Sequence, residues 1–175
     1  TTPGAPTSVS ATSNANAQSV VTWTAPSANG GSSITDYVIE YSSDSGSTWT
    51  TFNDGTSSTA SATVTGLTNG TSYLFRVSAK NVIGTGSVST NSTAAIPSTV
   101  TNAPTSVAGT SNENGQSTVT WSAPSSVGGA AITDYIIEYS TNGSTYTVFS
   151  DTTSTSTQVI VTGLANGVAY YFRVK

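Results

Sequence analysis

Residues 36–41 have the sequence Asp-Tyr-Val-Ile-Glu-Tyr, in which large apolar side chains occupy every second position. Successive side chains of a β-strand point to opposite faces, so Tyr37, Ile39 and Tyr41 lie on one face. Polar or smaller apolar residues fill the alternate positions. The same period of two recurs at residues 73–77. The pattern predicts strands that bury one face.

The stretch is part of an internal repeat. Trp23 recurs 98 residues later as Trp121, whereas Phe75 recurs 97 residues later as Phe172. The single deletion falls near residues 42–46, which we place in a loop between two strands. A repeat of this length has the size of a domain. We therefore expect two tandem domains with boundaries at residues 1–97 and 98–175.

Turn-forming residues separate the predicted strands. Clusters of Asn, Gly, Ser and Pro follow each apolar run, and the pair Asn142-Gly143 is typical of a two-residue type I′ hairpin. No apolar stripe with helical spacing is present. The sequence predicts an all-β sandwich.

The composition excludes several classes of function. The chain has no Cys and no His, which removes disulfides, Cys/His zinc sites and Ser-His-Asp catalysis. Four Lys and Arg residues are too few for a nucleic-acid surface. No apolar run exceeds five residues, so direct membrane insertion is not expected. We expect no cofactor and no metal.

Both repeats resemble fibronectin type III domains of the prokaryotic or bacteriophage type. The resemblance covers nearly the whole chain. Its motifs are Trp23-x-Ala25-Pro26, Gly30-Gly31-x-x-Ile34-x-Asp36-Tyr37, Gly66-Leu67-x-Asn69-Gly70-x-x-Tyr73-x-Phe75-Arg76-Val77 and Ala79-x-Asn81-x-x-Gly84-x-Gly86.

This resemblance implies two tandem seven-stranded immunoglobulin-like sandwiches. It also implies a tyrosine corner, formed by Leu67 with Tyr73 and by Leu164 with Tyr170. The residues that we expect to matter are structural. They are Trp23, Tyr37, Leu67 and Tyr73 in the first repeat, and Trp121, Tyr135, Leu164 and Tyr170 in the second.

The second repeat stops at Val174-Lys175, inside the sixth strand, so it lacks its last strand in this chain. We expect that strand to have an unpaired edge and Trp121 to be partly uncovered. Either the polypeptide continues, or another chain supplies the missing strand.

Several polar and aromatic residues could suggest a site. Asp36 and Glu40 lie roughly 13 Å apart along a strand, at about 3.3 Å per residue, too far for a glycosidase pair. We expect Asp36 to cap its strand and Glu40 to pair with Arg76. The carboxylates in the predicted loops could be read as calcium ligands, but turn formation explains their positions equally well. Trp49 and Tyr146 are the aromatic residues whose burial is least clear from the sequence, and we place them at the edge of the core.

These observations favour a non-catalytic structural or adhesion module. The chain would be a spacer in an array, from an extracellular or cell-surface protein or from a bacteriophage virion appendage. Its partners would be other domains of that array. A second hypothesis is an accessory domain pair of a secreted polysaccharide-degrading enzyme, and a third is that the module itself binds cell-surface glycans.

Overall fold

A computed structural model describes residues 1–110 and 113–175. The described residues form β-strands, turns and irregular segments, with no helix among them. They divide into two compact units, Thr1–Thr99 (unit one) and Val100–Lys175 (unit two). The prediction of an all-β chain is confirmed.

Unit one contains seven strands in two antiparallel sheets. They are β1 (Thr7–Ala11), β2 (Gln18–Thr24), β3 (Ile34–Ser42), β4 (Thr50–Phe52), β5 (Ser61–Thr65), β6 (Leu74–Asn81) and β7 (Gly84–Val88). One sheet has the order β1-β2-β5 and the other β4-β3-β6-β7. This arrangement is the predicted seven-stranded sandwich.

The core of unit one lies between the two sheets. Val21 and Trp23 of β2 are buried against Ile39 of β3 and against Phe75 and Val77 of β6. β2 alternates buried and exposed positions, and the middle of β3 alternates buried and half-buried ones. The period of two in the sequence therefore identifies the core face.

Unit two repeats this arrangement with six strands among its described residues. They are β8 (Thr105–Gly109), β9 (Gln116–Ser122), β10 (Ile137–Ser140), β11 (Thr147–Val148), β12 (Gln158–Thr162) and β13 (Tyr171–Val174). The sheets have the orders β12-β9-β8 and β11-β10-β13. The sheet that contains β13 thus has three strands where its counterpart in unit one has four.

The length change between the repeats lies in a loop, as predicted. β3 ends at Ser42 and β4 begins at Thr50, whereas β10 ends at Ser140 and β11 begins at Thr147. The first connection has seven residues (43–49) and the second has six (141–146). A loop absorbs the deletion because the strand register on either side does not change.

The expected exposure of Trp121 is wrong. Trp121 is 7% exposed, the same fraction as Trp23. Its ring packs against Tyr135, with centroids 5.2 Å apart, and this neighbour lies within unit two. The exposure falls instead on Leu164, Tyr170 and Phe172, which are only half-buried.

The predicted type I′ hairpin at Asn142-Gly143 is also wrong. Gly143 has a φ of 69°, but Asn142 is not among the residues with positive φ, which a type I′ turn requires. Instead, the Asn142 side-chain oxygen accepts hydrogen bonds from the backbone N–H groups of Ser144 and Thr145, both at 2.9 Å. Side-chain capping therefore sets this longer turn.

Trp23 provides a test of the core. We expect Trp23→Ala to lower the free energy of unfolding of unit one by about 3–5 kcal/mol, the range for removing a large buried aromatic. Trp23→Phe should cost less, because the indole N–H has no hydrogen-bond partner among the described residues. Urea denaturation measures both values.

The matched control is Trp49→Ala, since Trp49 is half-buried and lies outside the core cluster. Its loss should be about half that of Trp23→Ala or smaller. A loss below about 1 kcal/mol for Trp23→Ala would contradict the assignment of this residue to the core.

Candidate functional site

A buried tryptophan–tyrosine pair lies in the core of each unit, and in unit one it joins the two sheets. Trp23 of β2 meets Tyr37 of β3 edge to face, with ring centroids 5.0 Å apart at 63°. Trp121 and Tyr135 repeat the contact at 5.2 Å and 67°. Edge-to-face packing aligns the positive ring edge of one aromatic with the negative face of the other. All four side chains are buried, and each ring packs against the ring of its partner. These contacts give the four residues a structural role.

A tyrosine corner is present in both units. The hydroxyl oxygen of Tyr73 accepts a hydrogen bond from the backbone N–H of Thr68 at 3.0 Å. The hydroxyl oxygen of Tyr170 accepts the equivalent bond from Ala165, also at 3.0 Å. Each bond spans five residues and fixes the turn that leads into β6 or β13.

The two corners differ in burial. Leu67 and Tyr73 are 4% and 6% exposed, whereas Leu164 and Tyr170 are half-buried. The hydrogen bond is the same, so the difference comes from what packs over the corner. In unit one, Ala95 pairs with Tyr73 through two backbone hydrogen bonds of 2.9 Å.

A surface cluster lies on the outer face of the sheet that contains β3 and β6. The Arg76 Nε donates to Glu40 Oε2 at 2.8 Å, as the sequence predicted. The Arg76 guanidinium also lies 4.1 Å from the ring centroid of Trp49. Trp49 is therefore not at the core edge, because it packs beneath an arginine on the outside of the sandwich. The sequence contained a sign of this cluster, because an aromatic residue and an arginine recur together at matching positions of the two repeats.

Unit two has the same cluster with one added cation. Arg173 pairs with Glu138 and lies 3.9 Å from the ring centroid of Tyr146. The Lys175 Nζ donates to the other Glu138 oxygen at 3.0 Å. Hydrogen bonds from Arg173 and Lys175 lower the pKa of Glu138 from its usual value. Tyr146, like Trp49, lies outside the core.

The carboxylate of Asp36 ties down a neighbouring loop. Asp36 lies inside β3 and does not cap its start. Its Oδ1 accepts a hydrogen bond from the backbone N–H of Ser57 at 3.0 Å. Asp134 accepts the same bond from Ser154 at 2.9 Å. The repeated carboxylates are thus engaged within the fold.

Asp44 organises the loop between β3 and β4. Its oxygens accept hydrogen bonds from the Ser42 hydroxyl at 2.6 Å and from the Thr48 hydroxyl at 2.6 Å. The Thr48 backbone N–H adds a third at 2.9 Å. These bonds stabilise the ionised form and lower the pKa of Asp44 from 3.8 to about 2.

The N-terminal strap, residues 1–4, is held at one end of unit one. The Asn81 side-chain nitrogen donates to the carbonyl oxygens of Thr1 and Asn29, both at 2.8 Å. A Cβ on Gly86 would lie 2.0 Å from the Pro3 carbonyl oxygen. Glycine at residue 86 is required because the strap passes this close to the backbone.

The tail of unit one, residues 89–98, is held at the opposite end. The Gly70 N–H donates to the Pro97 carbonyl at 2.8 Å, and the Ser98 N–H donates to the Ala15 carbonyl at 3.2 Å. The strap lies by the last residue of β6 and these bonds lie beyond its first. An eight-residue strand spans about 25 Å at roughly 3.3 Å per residue.

Neither a metal cluster nor a membrane helix is found in the part of the chain that the structure describes. No group of three or more acidic, His or Cys side chains comes together there. No helix there has the length and hydropathy needed to cross a bilayer.

The chain belongs to the fibronectin type III domain family. The family model matches twice, at residues 4–95 and 102–175. This confirms the resemblance seen in the sequence and the immunoglobulin-like sandwich.

Proteins similar to this chain belong to several classes. Chitinase A1 of Niallia circulans is 36% identical over 121 residues, which cover 65% of this chain and 16% of the chitinase. The slow-type myosin-binding protein C of Rattus norvegicus is 27% identical and covers 89% of this chain and 28% of its own length. The chain thus spans less than a third of these relatives.

A crystal structure of titin domains matches 54% of this chain and 32% of its own, with 33% identity and a TM-score of 0.50. The chicken CNTN1 FN1-FN3 domains match 99% of this chain and 56% of their own, with 22% identity and a TM-score of 0.52. The second likeness concerns the fold alone.

The tyrosine corner generates the second prediction. Tyr73→Phe should lower the free energy of unfolding of unit one by about 1 kcal/mol, because it leaves the Thr68 N–H without its acceptor. Tyr170→Phe is the matched variant in unit two and should cost less, since water reaches that corner. Chemical denaturation checks the order, and a larger loss for Tyr170→Phe would contradict it.

Asp44 generates the third prediction. Its pKa is lower in the folded state, so its contribution to stability is present above pH 4 and is lost as the pH falls towards 2. We expect Asp44→Asn to flatten the pH dependence of the melting temperature of unit one in this window. NMR titration of the carboxyl group measures the pKa directly, and a midpoint near 4 would refute the hydrogen-bonding argument.

Proposed function

We propose that the chain is a non-catalytic spacer segment of a longer tandem array. The observation that carries this proposal is the position of the strap and the tail of unit one. They are held at opposite ends of β6, so the polypeptide enters at one end of the sandwich and leaves at the other. A module connected in this way adds its full length to an array.

The charged side chains support a structural role. Glu40 and Glu138 are paired with Arg76 and Arg173 on the outer face of the sheet. Asp36 accepts a backbone hydrogen bond from a neighbouring loop. The oxygens of these carboxylates thus hold an arginine or a loop in place, which is a structural role.

The proposed setting is an extracellular or cell-surface protein, or the surface of a virion appendage, and the proposed partners are other domains of the array. Neither setting requires Cys, and the chain contains none. The few charged residues leave a surface dominated by Ser and Thr, which suits contacts with solvent over a long array.

A second candidate is an accessory domain pair of a polysaccharide-degrading enzyme. The 36% identity to a bacterial chitinase favours it. In this case the chain would either separate a catalytic domain from its substrate or bind the glycan itself.

Force spectroscopy on the whole chain provides the fourth prediction. We expect unit one, with residues 1–99, to unfold in one cooperative step that adds about 300 Å of contour length, at roughly 3.5 Å per residue less the folded length. Asn81→Ala should lower the unfolding force, because Asn81 holds the strap. Asn53→Ala, in an exposed loop, is the matched control and should leave the force unchanged.

Two results would count against the spacer. Gradual extension of unit one without a force peak would show that it does not keep its length under load. The second result comes from a pelleting assay with insoluble chitin, in which an unrelated β-sandwich protein is the control. Retention of the chain but not of the control would favour the glycan-binding candidate.

A further inference from the structure

The loop between β2 and β3 of unit one contains an Asn-Gly pair, Asn29-Gly30, and the chain has five such pairs in all. In an Asn-Gly pair the backbone nitrogen of the glycine can attack the side-chain amide carbon of the asparagine, because glycine has no side chain to obstruct the approach. The hydrogen bonds around each pair decide how readily this attack occurs.

Four of the pairs are held by hydrogen bonds of the fold. In the pair Asn166-Gly167, both polar atoms of the asparagine side chain are engaged, by Asn114 and Gly115. In the other three, the glycine N–H, which is the attacking group, donates a hydrogen bond to another residue. These three are Asn69-Gly70, Asn114-Gly115 and Asn142-Gly143. Such bonds must break before the attack can begin, which raises its barrier.

The pair Asn29-Gly30 is bound differently. Among residues 1–110 and 113–175, no acceptor is found for the Gly30 N–H and none for the side-chain nitrogen of Asn29. Asn29 is exposed, so water reaches its side chain. Both the attacking nitrogen and the leaving amide group are therefore available for reaction.

Two donors face the oxygens on which negative charge develops. When the Gly30 nitrogen loses its proton, the charge spreads to the backbone carbonyl oxygen of Asn29, because the peptide group is conjugated. The Asn81 side-chain nitrogen donates to that oxygen at 2.8 Å. Attack on the side chain then places charge on Asn29 Oδ1, which accepts a hydrogen bond from the Gly31 N–H at 2.9 Å. Donors positioned in advance at such oxygens lower the barrier, as in an oxyanion hole.

The repeat separates this chemistry from the shape of the loop. A Cβ on Gly30 would lie 2.0 Å from the carbonyl oxygen of Thr1, so glycine is required where the strap passes. Unit two retains both glycines of this loop but has Val127 in the position of Asn29. The fold of the loop therefore does not require asparagine there.

We propose that Asn29 is a site of spontaneous deamidation. The Gly30 nitrogen gives its proton to solvent and forms a bond to the side-chain amide carbon of Asn29. The bond from that carbon to Nδ2 breaks, and Nδ2 takes a proton from water and leaves as ammonia. Water then opens the resulting succinimide ring at either of its carbonyl carbons, which gives aspartate or isoaspartate at residue 29. One water is consumed and one ammonia is released.

This modification goes beyond the spacer role, because it changes how the strap is held. In isoaspartate the main chain passes through the former side-chain carbon and gains one backbone carbon. The carbonyl that Asn81 binds is thereby displaced, and the same Asn81 nitrogen holds the carbonyl of Thr1. Deamidation of Asn29 thus loosens the strap and gives unit one a slow, irreversible loss of resistance to load.

The experiment incubates the full chain in mildly alkaline buffer and follows each Asn-Gly pair by peptide mapping with mass spectrometry. Enzymatic methylation detects isoaspartate. We expect Asn29 to react at least about tenfold faster than Asn142, whose hydrogen bonds must first break. Incubation in concentrated urea is the control, because the two sites should react at similar rates once the fold is lost. A rate at Asn29 no higher than that at Asn142 in the folded chain would overturn the proposal.

A variant tests the donor. Asn81→Ala removes the hydrogen bond to the Asn29 carbonyl, and we expect the reaction at Asn29 to slow by at least about tenfold. Near-ultraviolet circular dichroism checks that the variant is folded. An unchanged or faster rate would show that Asn81 does not promote the reaction, which overturns its role. The comparison of Asn29 with Asn142 in the unchanged chain does not depend on this variant.

Force spectroscopy tests the consequence for the strap. After incubation we expect unit one of the unchanged chain to unfold at a lower force than before. Asn29→Gln is the matched control, because its longer side chain would have to close a six-membered ring, and its unfolding force should not change. Equal forces before and after complete modification of Asn29 would overturn the effect on the strap.

Discussion

The contact between a buried tryptophan and a buried tyrosine is the interaction on which each unit depends. Trp23 and Tyr37 come from strands in different sheets, and their ring centroids lie only 5.0 Å apart. This contact sets which faces of β2 and β3 look inward, since side chains alternate along a strand. With those faces directed inward, Ile39 and Phe75 lie in the same core. The 5.2 Å contact in unit two repeats this organisation.

The polar and charged side chains stabilise the loops, the strap and the outer face of the sheet, which lie outside the core. Asp36 and Asp44 hold loops through hydrogen bonds to nearby N–H and hydroxyl groups, and Asn81 holds the strap. Glu40 and Arg76 pair on the outer face over Trp49. A chain with only 12 charged residues thus uses several of them for local geometry. This distribution agrees with a module whose loops and ends need fixed positions.

The two units show how much the last segment of a sandwich contributes to burial. Phe75 is covered by the tail and is fully buried, whereas Phe172 is half-buried although its own strand pairs in the same register. Apolar burial is worth about 25 cal/mol per Å². The tail therefore stabilises unit one by covering the corner and the edge of β6, in addition to its hydrogen bonds.

The sequence by itself determined the fold class, the repeat, the loop that absorbs the deletion and the pairing of Glu40 with Arg76. These features depend on period, spacing and cross-strand register, which are local or repeated properties of the chain. Only the tertiary structure decided the exposure of Trp121, the placement of Trp49 beneath Arg76 and the hydrogen bonds from backbone N–H groups of β6 to two serine hydroxyls of the tail. These depend on which segments, distant along the chain, meet in space. Ser89 and Val77 are twelve residues apart, and no local pattern shows that a hydroxyl replaces a carbonyl there.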